Sequence, residues 1–167
     1  MGNNLRHIRG QAQKELVKKF DAFFNKGYSR WEVWSDWVTL SAIAISNATD
    51  ASHAEQREAQ YRTISKKYTK PDMELFSEIL ALFVVALEEN PDQDFLGELG
   101  NDTAGQFFTP YDVCYCMAQI TADIPRLTQE IKDKGWISVN DPACGAGALL
   151  VAFANVCRKN DINYQTQ

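Results

Sequence analysis

The sequence of 167 residues has no apolar run longer than nine residues, Ile79 to Leu87, whereas a bilayer span needs about 20. No membrane helix is expected. Its four cysteines include no C-x-x-C pair, and the two histidines, His7 and His53, lie far from them in the chain. A zinc site or disulfide framework is therefore not expected, and no metal is assigned. The opening MGNNLRHIRG lacks an apolar signal core, and Arg6 stands where a myristoylation motif wants Ser or Thr. A cytoplasmic location with reduced thiols follows by default, so the sequons at Asn47 and Asn101 are not read as glycosylation sites. What remains, 45% apolar with 23% charged residues, is the composition of a folded globular chain rather than a disordered one.

The net charge of −5 hides an uneven distribution. Residues 1–70 carry 12 Lys+Arg against 7 Asp+Glu, while residues 71–167 carry 5 against 15. Such a split can mark a nucleic-acid-facing end. The basic residues are scattered rather than in one run, however, so solvated helix faces explain them equally well. DNA contact by this end stays open.

The first 90 residues read as helices. Leu5, Ile8, Ala12, Leu16, Phe20, Phe23 and Phe24 recur at three- and four-residue intervals, and Lys26-Gly27 offers a stop. Ser29 with Glu32 forms a capping-box pattern ahead of Trp31, Trp34 and Trp37, a cluster expected to be core or interface rather than a ligand cage. Ser52 with Glu55 repeats the pattern before a polar helix that should be the most exposed. Pro71 opens an apolar segment, Met73 to Leu87, whose apolar residues cover most of its circumference and place it centrally.

From residue 92 the character changes. Gly97, Gly100, Asn101, Asp102, Thr103 and Gly105 read as a flexible connection, and Thr109-Pro110 as the capped start of a helix reaching Ala122, with Asp112 completing the cap. A second helical piece, Pro125 to Lys134, stops at Gly135. Trp136 to Asn140 reads as a short strand, Asp141-Pro-Ala-Cys-Gly-Ala-Gly147 as a turn, and Ala148 to Lys159 as an apolar helix; Asn163 to Thr166 would begin the next strand. Strand, turn and helix together open a Rossmann-like unit. The fold class is therefore mainly α: a helical bundle over residues 1–91, then residues 92–167 as the start of an α/β domain.

A glycine turn at a helix start lets a ligand approach the backbone and favours negative charge. Leu150 stands where a nicotinamide or flavin fingerprint wants a third glycine, and no Gly-Lys-Ser/Thr completes a P-loop. An ordinary strand-to-helix turn and a different nucleotide-binding enzyme are the competing readings of the motif alone.

Taken with Gly105-Gln-Phe-Phe-Thr-Pro110, the loop resembles the N6-adenine DNA methyltransferases, most closely the methylation subunit of type I restriction-modification systems and related phage enzymes. The two motifs occur in that family's order, and their spacing, 32 residues from Thr109 to Asp141, is similar. DQDFLGEL, residues 92–99, resembles the segment that precedes them. The resemblance implies S-adenosylmethionine as cofactor and DNA as substrate, with transfer of a methyl group to adenine N6. It implies a cofactor site made of Phe108, Thr109 and Pro110 over the methionine end, Asp141 toward the ammonium, and Ala143, Cys144, Gly145 and Gly147 shaping the loop. Cys144 is expected to be a small buried residue and not a nucleophile. The family's Asn/Asp-Pro-Pro-Tyr/Phe catalytic motif is absent: the prolines at 71, 91, 110, 125 and 142 are never adjacent. No catalytic residue is assigned. The expectation is the N-terminal, cofactor-binding part of a longer methyltransferase, inactive alone. The alternative is a non-catalytic helical module that docks a specificity subunit, another protomer or DNA.

Overall fold

The computed structural model describes residues 10–91, 93–104 and 108–162. Eight helices make up its regular structure, and no strand occurs among the described residues. The chain divides into two compact units, one of residues 1–90 with 102–105 and one of 91–101 with 106–167.

The first unit holds α1 (Gln11–Asn25), α2 (Arg30–Thr49), α3 (Ala54–Ser65) and α4 (Lys70–Glu89), with α1 packed on α4 and α2 on α3. The three- and four-residue stripe of α1 buries Leu16, Phe20 and Phe23; its earlier members Leu5 and Ile8, like His7, lie outside the described residues. Phe20 meets Trp37 edge-on at 5.3 Å, and Phe23 stacks on Phe76 at 4.5 Å between ring centres. Aromatic pairs at these separations add to the area they bury. Trp34 and Trp37 are thus core, while Trp31 is exposed.

Short polar devices set the helix ends. The Ser29 hydroxyl accepts the Glu32 amide and opens α2. Thr69 and Asp72 form a reciprocal box at the start of α4, with Pro71 in its first turn. Asp72 is buried, yet its carboxylate also accepts from Lys26 Nζ at 2.5 Å and from Tyr28 Oη at 3.1 Å. Burial raises its pKa, but the Lys26 ammonium and the Thr69 hydrogen bonds outweigh that and hold the carboxyl at about 2. A carboxyl depressed in the folded state contributes stability above its unfolded pKa, near 3.9. That contribution is expected to disappear as pH falls from about 4 to about 2. Asp72→Asn should flatten this part of an acid-unfolding curve followed by circular dichroism.

Three expectations for this unit need correction. Ser52 does not cap α3: its amide and hydroxyl both turn back to Asp50 Oδ1, at 2.8 and 2.6 Å, and His53 takes the cap position without a side-chain bond. The short Asp-x-Ser turn satisfies the serine locally before it can reach forward. The apolar run of α4 is not buried all round, since Val84 and Val85 are exposed. Finally, α3 buries Ile64, so the helix with nothing buried is α7 of the second unit.

The second unit contains most of α5 (Phe95–Ala104), with α6 (Tyr111–Thr121), α7 (Ile124–Lys134) and α8 (Ala148–Lys159). Residues 97–104 are helical rather than a loose connection. Asp94 starts the helix by accepting the Gly97 amide at 2.9 Å, and burial of Phe95 and Leu99 offsets the helix cost of Gly97 and Gly100. Small residues, Ala118 on α6 with Ala148 and Ala152 on α8, let those helices pack closely around Cys114 and Val156.

The strand expected at 136–140 does not form. Trp136 and Val139 are exposed, and the segment meets no neighbouring strand among the described residues. A strand without a partner lacks the ladder that would stabilise it. The second strand expected at 163–166 lies outside the described residues.

Candidate functional site

The Asp141–Gly147 loop forms as expected and leads straight into α8. Asp141 Oδ1 accepts the Ala143 amide at 3.0 Å, and the Gly147 amide donates to the Cys144 carbonyl at 2.6 Å. Gly145 has φ +50° and Gly147 φ +83°, and no atom lies within 4 Å of a side chain placed at 147. The loop is thus bent into a form that side chains rarely adopt, beside open space. Gly147 is the N-cap of α8 and supplies no side-chain acceptor. The amides of Ala148, Leu149 and Leu150 consequently point out of the helix start without a cap, where they favour a carboxylate or another anion.

The second motif lies at the head of α6. Pro110, not Thr109, is the cap residue, and no side chain closes this end, so the Thr109–Asp112 cap is not made. The proline ring fixes the backbone just before the helix, moving the boundary one residue on. Thr109 is exposed; its carbonyl oxygen lies 3.9 Å from Cys114 Sγ, which donates to it. Phe108 is half-buried, and Gly105 to Phe107 lie outside the described residues.

Cys114 of α6 is buried in the cluster that joins α6 to α8. Burial pushes its thiol pKa up, and the carboxylates of Asp94 and Asp141 push it further. The Thr109 carbonyl thus accepts from a buried thiol whose ionisation both carboxylates disfavour. The structure places Cys144 differently from expectation: it is exposed at the loop apex, with Sγ 3.8 Å from the Gly145 carbonyl. The tight turn at residues 143–146 faces outward, which leaves no interior for that side chain.

Sequence reasoning missed three residues here. Asp94 is half-buried, and burial raises its pKa against the opposing Gly97 amide. A Cβ at Gly97 would collide with the Asp94 carboxylate, which would have to swing away from its place at the start of the helix. Asn155 is buried in α8 and donates to Tyr111 Oη at 2.6 Å and to the Pro91 carbonyl at 3.3 Å, tying α8 to α6 and to the segment before α5. Each had a faint signal: the Asp-x-x-Gly spacing of a cap, and one polar residue on the inner side of an otherwise apolar helix.

Among the described residues no group of three or more His, Cys, Asp or Glu could hold a metal ion, and no helix is long and apolar enough to cross a membrane. Most of the basic excess in the first unit is engaged locally, as in the Lys19–Glu78, Lys67–Asp36 and Arg57–Asp50 pairs. Neither the curated proteins nor the solved structures gave a match to the chain. Residues 94–167, the segment that carries Asp94 and both motifs, match the family model described as N-6 DNA methylase.

Proposed function

We propose that the chain is the cofactor-binding front of a site-specific DNA methyltransferase, acting on adenine N6 within a restriction-modification system. The observation that carries this reading is the Asp141–Gly147 loop, held by its own hydrogen bonds and open beside Gly147 at the uncapped start of α8. The residues present fit S-adenosylmethionine. Uncapped amides at the start of α8 suit its carboxylate, the Asp141 carboxylate suits its ammonium, and the open space beside Gly147 suits close approach. S-adenosylmethionine supplies, when bound, a methyl group activated on a sulfonium. Phe108, Thr109 and Pro110 would cover its methionine end, with Ala143, Cys144, Gly145 and Gly147 lining the loop.

The chain's own part in the reaction is binding and orientation. It holds no Asn/Asp-Pro-Pro-Tyr/Phe motif to position an extruded adenine, so methyl transfer needs further residues. Incubated with plasmid DNA and methyl-labelled S-adenosylmethionine, the purified chain is expected to leave the DNA unlabelled. S-adenosylmethionine, and neither ATP nor NAD, is expected to raise its melting temperature by mass action. Label in N6-methyladenine would overturn the first statement, and equal stabilisation by ATP or NAD the second.

A further inference from the structure

Helix α2 is apolar on two opposite sides. Val33, Trp37 and Leu40 face the core of the first unit, while Trp31, Val38 and Ile45, at 51%, 36% and 59% exposure, face solvent. With Ser35, Ala42 and Thr49 the outer residues recur at alternating intervals of four and three, the spacing of a helix-pairing seam. Between Val33 and Thr49 the only charged residue is Asp36, and it is buried. A helix surface of about 25 Å without an exposed charge is unlike a solvated face and like the middle of an interface.

The pattern is complementary to itself. In an antiparallel pair with a two-fold axis at the level of Leu40, Trp31 meets the partner's Thr49, Ser35 meets the partner's Ile45, and Val38 meets the partner's Ala42. Every large residue faces a small one. Arg30, which lies over the Phe24 ring and enters no ion pair among the described residues, comes level with the partner's Asp50, a half-exposed carboxylate at the end of α2 that already pairs with Arg57 of its own chain and can share a second cation. Charge is thus matched at both ends of the seam, and each Arg30 sits near the negative end of the opposing helix. We propose that a second copy of this chain covers the outer face of α2 by packing its own α2 antiparallel against it. This inference does not depend on the cofactor reading.

One helix pair buries less than the roughly 800 Å² per partner of a standard interface, so the dimer is weak, with a Kd on the order of 10 µM or higher. Sedimentation velocity of the full chain is expected to move from monomer toward dimer as concentration rises through that range. Val38→Glu and Ala42→Lys should each remain monomeric with unchanged helix content, since both positions are exposed. Mixing the two variants should restore association, because Glu at 38 would meet Lys at 42 of the other copy. Ile120→Glu, at an exposed position of α6, should dimerise like the parent. A parent chain that stays monomeric up to its solubility limit would overturn the proposal. So would dimers that persist in Val38→Glu, or mixed variants that fail to associate.

Discussion

Phe23→Ala is expected to destabilise the first unit by about 3 to 5 kcal/mol, the range for emptying a buried phenylalanine site. Phe23 is fully buried, stacks on Phe76, and meets the edges of Tyr28 and Tyr68 at 5.9 and 6.1 Å. Four aromatic residues from α1, α4 and the turns that precede α2 and α4 therefore share one wall, and none can move into the vacancy without leaving another. A loss of this size is a large part of the stability of a small helical unit. Chemical denaturation followed by far-ultraviolet circular dichroism measures it. Ile120→Ala, on an exposed face, provides the comparison and should fall within about 0.5 kcal/mol of the parent.

Gly147→Val is expected to weaken S-adenosylmethionine binding by about 100-fold or more, equivalent to roughly 2.7 kcal/mol. Two effects act together. A β-branched residue at φ +83° must leave the left-handed region, which re-aims the amides at the start of α8. Its side chain would also fill the open space beside the loop. Ala148, the next residue, belongs to the packed cluster with Cys114, Ala118, Ala152 and Val156, but a side chain at 147 points into open space and not into that cluster, so the unit should stay folded while the ligand is lost. A melting temperature close to the parent's, measured beside the binding loss, separates this from unfolding.

The helices were readable wherever an apolar stripe met a local stop signal. Helix α8 runs from Ala148 to Lys159, as the residue pattern predicts, and α1 ends at Lys26-Gly27 because Gly27 adopts φ +90° there. Misreadings arose where tertiary contacts outweighed local chemistry. Gly97 and Gly100 looked like a linker, yet burial of Phe95 and Leu99 holds α5 together. Ser52 looked like a cap, but Asp50 lay closer to its amide and hydroxyl. Residues 136–140 have strand composition, and composition alone cannot supply a neighbouring backbone.

The candidate site was legible as two motifs, but the packing that frames them was not. Periodicity gives no reason for α6 to lie on α8; that follows from the small residues on their facing sides. The position of Cys144 was misjudged for the complementary reason. A small residue in an apolar stretch suits a core, but the loop's left-handed glycines turn that stretch outward.

The central claim, that the loop before α8 receives S-adenosylmethionine, is tested most directly by calorimetric titration of the purified chain with that cofactor. The parent is expected to bind at a single site, and a variant with both Gly145 and Gly147 replaced by valine is expected to give no heat beyond dilution while keeping its helix content. Undiminished binding by the variant, or no binding by the folded parent, would contradict the claim.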